Sequence, residues 1–375
     1  MNILLIEPYF TGSHASWAEG YARVSRHNVE ILSLEGRNWR WRMRSGAVTL
    51  AKRFMERPYA PELILASDML DLTTFLSLTR PVTATTPTAL YFHENQFTYP
   101  ATPRERGAKK GRDPQYGFIN YTAALTADHC FFNSRFHMDS FLGSLAEHLS
   151  AMPDYNEPGS VALISEKSSV LYLGMDLKRL KERAAVAPPS SKVSPLILWN
   201  HRWEYDKNAA EFFDALYALE EKGIDFEVAL LGESFGRVPE EFEAARERLG
   251  ARVVHFGYAE NLDTYASWLE SADLLPVTSH HDFFGCSVVE AIYMGCVPLL
   301  PDRLAYPEHI PEELRKTCLY DGFNDLVEKL SCAITNAATP RDERLSAFVA
   351  RYDWDELGPV YDSAMERVAG VKLST

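Results

Sequence analysis

The feature that most restricts the fold of this chain is the form of its apolar runs. They are short, rich in β-branched and aromatic residues, and separated by amphipathic segments. That rhythm belongs to a parallel sheet covered on both faces by helices. Strands are expected at 2–7, 29–34, 63–67, 89–93, 129–134 and 170–174, with helices between them. One such helix is SHASWAEGYARVSRH, which Ser13 can cap. Residues 184–195, AAVAPPSSKVSP, interrupt the rhythm with prolines and serines and read as a linker. It restarts with strands at 196–200, 226–232, 253–257, 273–279 and 297–301. Two doubly wound α/β domains are therefore expected, 1–187 and 188–350, facing each other across a cleft. A final amphipathic helix in 351–375 follows them.

Composition narrows the function. A chain of 375 residues, 46% of them hydrophobic, builds large cores and is not a disordered scaffold. No uncharged apolar stretch is long enough to span a bilayer, and the start MNILLIEPYF lacks a basic leader region. The five cysteines form no C-x-x-C pair, so reduced thiols and a cytoplasmic location are expected. A net charge of −14 argues against a nucleic-acid-coating protein, while leaving room for a local basic patch.

Ligands of open α/β sheets bind beyond the carboxyl ends of the strands. In EPYFTGSH, Gly12 and Ser13 leave the first strand and open a helix, whose N–H groups suit an anion or simply make a turn. YFHENQFTYP places His93, Glu94 and Asn95 after an apolar strand, a polar cluster held by a rigid element or a satisfied domain edge. In FFNSRFH, capping alone explains Asn133 and Ser134. In LWNHRWEYDKN, Arg202 and Lys207 pair a guanidinium fork with a compact ammonium, a combination suited to a diphosphate.

The stretch TSHHDFFGCSVVEAIYMGCVPLLPD is rich in metal-ligating residue types. Adjacent His280 and His281 point apart, however, and Cys286 and Cys296 have no zinc-type spacing, so no metal site is expected. Phe283 and Phe284 carry the loop to Gly285, and a helix starts there. The N–H groups of Gly285, Cys286 and Ser287 then face a phosphate. Asp282 and Glu290, eight residues apart, set two carboxylates along one ligand.

The run DFFGCSVVEAIYMGCVP resembles the signature of the GT-B retaining glycosyltransferases of family four, with Asp282 where Glu is usual. The segments EPYFTGSHASWAEG, RNWRWRMRSGA, YFHENQFTYP, FFNSRFHMDSF and WNHRWEYDKN, in this order, are most similar to the tRNA-queuosine mannosyltransferase family. The resemblance implies a GT-B fold and metal-independent, retaining transfer of mannose from GDP-mannose to queuosine in tRNA(Asp), without a cofactor. It implies that Glu290 holds the ribose, Asp282 the transferred sugar, and Arg202 with Lys207 the diphosphate. His93 would lie by the sugar carbon, and the C-terminal helix would cross back to the first domain. Tyr258, after VVHFG, is the candidate for base stacking.

GRNWRWRMRSGA adds an independent sign of an RNA acceptor. Arg37, Arg40, Arg42 and Arg44 alternate with Trp39, Trp41 and Met43, offering cations for phosphates and indoles for bases. Lys109 and Lys110 lie in a second basic run. A helix with buried tryptophans and solvated arginines explains the same pattern, and an anionic lipid surface fits the same charge. The rival readings are a family-four transferase using another nucleotide sugar and a lipid or small-molecule acceptor, a same-fold epimerase, and a nucleotide-sugar-binding module without turnover.

Overall fold

The computed structural model describes residues 1–100, 114–184, 194–232, 238–335 and 341–371. The chain divides into two compact units, Met1–Met175 with the stretch from Trp354 onward, and Asp176–Asp353. The division falls at Met175/Asp176 rather than at 187/188, because the helix Leu177–Arg183 packs on the helix Leu262–Ser271 of the second unit. The Arg183 guanidinium reaches the Asp263 carboxylate there at 2.9 Å.

Each unit holds a parallel six-stranded sheet. In the first, β1 (Asn2–Phe10), β2 (Asn28–Glu35), β3 (Leu63–Ser67), β4 (Thr88–Phe92), β5 (His129–Phe132) and β6 (Ser168–Val170) lie in the order β2-β1-β3-β4-β5-β6. In the second, β7 (Leu196–Trp199), β8 (Glu227–Leu231), β9 (Val253–Gly257), β10 (Leu274–Pro276), β11 (Val297–Pro301) and β12 (Leu319–Tyr320) run β12-β11-β10-β7-β8-β9. The order reverses beside β1 in one sheet and beside β7 in the other. Chain leaving those strands borders the crevice where such folds take ligands.

Central strands such as β3 and β4 are wholly buried and read as continuous apolar runs. β6 begins two residues ahead of the expected 170–174 and ends at Val170, where the apolar run turns into a loop. The two-residue β12 answers to no apolar run long enough to be expected.

The helix Trp354–Val371 belongs to the first unit and packs on the helix Gly12–Val24. Trp17 donates to the Tyr361 hydroxyl at 3.2 Å, and Tyr21 donates to Asp362 at 3.1 Å. The Trp354 indole fills a slot between Gly20 and Gly174, where a Cβ on either glycine would lie within 2.5 Å of the ring. No described helix is long and apolar enough to cross a membrane.

Candidate functional site

In the second unit the polar residues converge where the strand order reverses. Lys207 is buried, and its ammonium lies 2.9 Å from Asp282 Oδ1, 3.0 Å from the His281 carbonyl and 3.4 Å from Asp206 Oδ2. Burial opposes its charge, but Asp282 and Asp206 outweigh burial and raise its pKa above the usual lysine value. Burial likewise works against the Asp282 carboxylate, yet Lys207, His201 and the Tyr306 hydroxyl hold its pKa below the ordinary range. Tyr306 donates to Asp282 Oδ2 at 2.6 Å, so both oxygens of Asp282 already have a donor. Lys207 is thus no solvated surface cation. Arg202 differs from it: half-exposed, it pairs with Glu204 at 3.3 Å.

Gly285 takes φ +88, a left-handed conformation that lets the chain turn tightly into the helix Cys286–Tyr293. Glu290, its fifth residue, accepts the Tyr265 hydroxyl at 2.7 Å. Burial pushes the Glu290 pKa up to about 7, against the opposing hydrogen bond from Tyr265. Asn200 reaches the Ser287 carbonyl at 2.7 Å, and His201 Nδ1 meets the Ser287 hydroxyl at 3.0 Å. Burial and the Lys207 charge lower the His201 pKa to about 4, so its ring is neutral at pH 7. The Phe283 and Phe284 side chains are buried, with Phe284 edge-on to His309 and Tyr352, so both serve the core. Burial holds the Cys286 thiol protonated.

A pocket of about 360 Å³ opens beside these groups. Asn200, His201 and Arg202 after β7, Leu231 at the end of β8 with Gly232, and Tyr258 to Leu262 after β9 line it with Tyr265. The volume suits a small organic ligand. Tyr258 is 70% exposed on its rim.

The first unit has its own buried cluster. Glu7, within β1, accepts from His14 Nδ1 at 3.0 Å. Burial opposes the charge on His14, but Glu7 outweighs it and raises the pKa to about 9, making the pair ionic at neutral pH. The His14 ring lies 4.3 Å from that of His93, and Trp17 stands edge-on to His93 at 4.7 Å. Burial, His14 and His137 keep His93 neutral, and its Nε2 is buried without a hydrogen-bond partner. Asp68 accepts the His93 backbone N–H at 2.8 Å; burial and then Glu94 drive its pKa well up, against the pull of His14. Among the described residues, Glu7, His14 and His93 alone bring three metal-ligating atoms within 4.8 Å of one another, and the Glu7–His14 ion pair already engages two of them.

Other expected positions divide. Ser13 is exposed inside the helix Gly12–Val24, whose N-cap is Thr11, so it is not the cap; Gly12 opens the helix at φ +51. Ser134 does cap its helix, accepting from His137. Asn95 is buried, and its oxygen accepts from Phe97 and Thr98 in a local turn, which removes it from an acceptor-facing role. Glu94 accepts from Gln96 at 2.8 Å. Arg37 pairs with Glu35 at 2.7 Å, and Arg42 donates to the Glu35 carbonyl at 2.9 Å. Along the helix Trp39–Glu56, Trp39 packs on Tyr116, whereas Arg40 and Arg44 are exposed and Trp41 is 60% exposed. Lys109 and Lys110 lie outside the described residues.

Glu7, His14, Asp68, Asn200, His201, Tyr265 and Tyr306 were missed by sequence reasoning. The strand-end rule points at Asn200 and His201. Tyr265 and Tyr306 carry no local signal, because only the fold brings them to Glu290 and Asp282.

Comparisons with known proteins match both units. The family model for the tRNA-queuosine alpha-mannosyltransferase N-terminal region covers residues 2–175, and that for glycosyl transferases group 1 covers 181–347. Among solved structures, a trehalose-6-phosphate protein from E. coli bound with UDP-2-fluoro glucose superposes with TM-score 0.71 at 13% identity, over 97% of this chain and 99% of its own. Sucrose-phosphate synthase from Thermosynechococcus elongatus superposes with TM-score 0.70 at 13% identity, over 99% and 100%. These two establish the GT-B fold. A Xanthomonas oryzae GDP-mannose:cellobiosyl-diphosphopolyprenol alpha-mannosyltransferase is 21% identical over 49% of each chain. The tRNA-queuosine alpha-mannosyltransferase of Drosophila melanogaster is 37% identical over 88% of this chain and 86% of its own. The chain therefore belongs to the tRNA-queuosine alpha-mannosyltransferase family.

Proposed function

We propose that this chain transfers mannose from GDP-mannose to the cyclopentenediol of queuosine in tRNA(Asp), with retention of configuration. The observation that carries the reading is the likeness to the fly mannosyltransferase, which runs through both units. In the second unit the nucleotide occupies the pocket, with Tyr258 stacking the base and Glu290 accepting from the ribose. The diphosphate meets Arg202, Lys207 and the helix end at Gly285, Cys286 and Ser287. The three ammonium protons of Lys207 already face three acceptors, and the diphosphate displaces the longest contact, Asp206 at 3.4 Å. Asp282, held by Lys207 and Tyr306, keeps free lone pairs for sugar hydroxyls.

During transfer the bond from the anomeric carbon to the β-phosphate oxygen breaks, and the acceptor hydroxyl attacks from the same face. Its proton passes to the departing phosphate. The cations stabilise charge as it builds on the diphosphate, so their effect falls on the transition state. No metal or cofactor takes part. His93 supplies a neutral imidazole that orients hydroxyls, and the exposed arginines and Trp41 of the helix Trp39–Glu56 dock the RNA. The protein acts in the cytoplasm.

The test is incubation with GDP-mannose and tRNA pools that contain or lack queuosine, followed by nucleoside mass spectrometry. Hexosylated queuosine from the first pool alone is the expected result. Transfer to a lipid or small molecule instead, or a freed hexose without acceptor, overturns the assignment.

A further inference from the structure

The pocket in the second unit is lined by Arg202, by Tyr265, which donates to Glu290, and by Tyr258 and Glu260 after β9. With the diphosphate read at Arg202 and the ribose at Glu290, Tyr258 and Glu260 are left for the base. Glu260 is the only acidic residue among the described residues that line the pocket. Its carboxylate makes no hydrogen bond or ion pair to any described residue.

The bland account of Glu260 is an acid that stabilises the start of the helix Leu262–Ser271. That helix is already supplied. Asn261 caps it by accepting from the Thr264 N–H at 2.8 Å, and Asp263 provides the first-turn acid. A second acid outside the helix adds little.

We propose that Glu260 reads the base of the donor and selects guanine. The inference rests on the reading that GDP-mannose is the donor. Guanine presents two adjacent donors, N1–H and the N2 amino group, which match the two oxygens of one carboxylate. Uracil presents a single N–H between two carbonyl oxygens, and a carboxylate placed against that edge meets like partial charge. Adenine offers a donor beside an acceptor, which also leaves one carboxylate oxygen opposed. Tyr258 supplies an aromatic face that stacks on any base, so it gives affinity without choice. Specificity then falls to Glu260.

The test is calorimetric titration of the full chain with GDP and UDP, for the wild type and Glu260→Gln. The wild type is expected to bind GDP more tightly than UDP. Glu260→Gln should lose roughly tenfold to a hundredfold in GDP affinity, the usual worth of a paired base contact. Its UDP affinity should hold or rise, because the repulsion at the uracil edge is removed, which also shows that the variant is folded. A variant that keeps the wild-type ratio of GDP to UDP affinity overturns the role of Glu260 while leaving the donor reading intact. A wild type without preference for GDP overturns the donor reading, and the guanine selection with it.

Discussion

Glu290 is a carboxyl group placed where ionisation is opposed, and its consequences can be followed through pH. Its pKa stands at about 7 in the folded chain against an ordinary 4.5. Below pH 4.5 both folded and unfolded chains hold the proton, and nothing is lost. Between 4.5 and 7 the unfolded chain releases it first, so stability falls as pH rises and levels off above 7. Glu290→Gln removes that slope: melting temperatures at pH 5 and pH 8 should lie closer together in the variant, and an unchanged spread would remove Glu290 as the cause. The proposed ribose contact needs the ionised form, so nucleotide affinity should rise with pH through 7 in the wild type. The Glu290→Gln variant gives the reference curve, because the phosphate's own titration remains in both. Lys207 makes the complementary case. Removing it leaves Asp282 and Asp206 facing each other without their cation, a loss of about 3–5 kcal/mol in denaturant titrations. Asp206→Asn in the Lys207→Ala background should restore part of that stability and none of the transfer. Recovered transfer would show that Lys207 serves the fold alone. Arg202 and Lys207 were legible in the sequence because they follow a strand end, and Asp282 and Glu290 because eight residues separate them across a helix start. Their partners Tyr265 and Tyr306 were not, since 25 and 24 residues of chain separate them from the acids they bond.

At the scale of elements, the buried strands were the most legible part of the chain. Runs 63–67 and 297–301 coincide with β3 and β11, because a strand covered on both faces is apolar from end to end, and 253–257 coincides with the half-buried edge strand β9. β6 escaped this logic: its residues are only half-buried, and the apolar side chains lie in the loop after it. The basic segment was legible as a helix but not in its facing. Alternation of Arg and Trp could not tell that Trp39 turns to Tyr116 while Trp41 turns to solvent. The helix Trp354–Val371 offers a direct test of how tightly an element is fitted. Gly174→Ala would set a methyl group 2.5 Å from the Trp354 ring, and Gly174 adjoins the end of the first stretch of that unit. Overpacking of this kind costs about 1–3 kcal/mol when the neighbours can shift. Gly174→Ala should lower the melting temperature, and Gly174→Ala with Trp354→Leu should recover part of the loss. If the double variant is no better than the single, the strain arises from the backbone at residue 174 and not from the indole.

Across the whole molecule, charge is distributed against its own average. The chain carries −14 overall, yet the helix Trp39–Glu56 exposes Arg40, Arg44, Lys52 and Arg53 as well as the indole of Trp41. An acidic protein repels RNA at long range, so an encounter through the proposed basic face is sensitive to screening. Two components follow for the proposed RNA contact. Cations that meet phosphates release counterions, and each contributes to the slope of log affinity against log salt. The indole contributes stacking, which is nearly independent of salt. Arg40→Ala with Arg44→Ala should therefore weaken tRNA binding and flatten the salt slope by about 1–2. Trp41→Ala should weaken binding by a factor that stays constant across salt concentrations. GDP affinity should be untouched in both, since the pocket proposed for the nucleotide is lined by residues of the second unit. Filter-binding titrations with tRNA at several salt concentrations measure both quantities. An arginine variant with the wild-type slope would place the RNA contact elsewhere on the surface, and a Trp41 effect that vanishes at high salt would mean that the indole orients the arginines and does not stack.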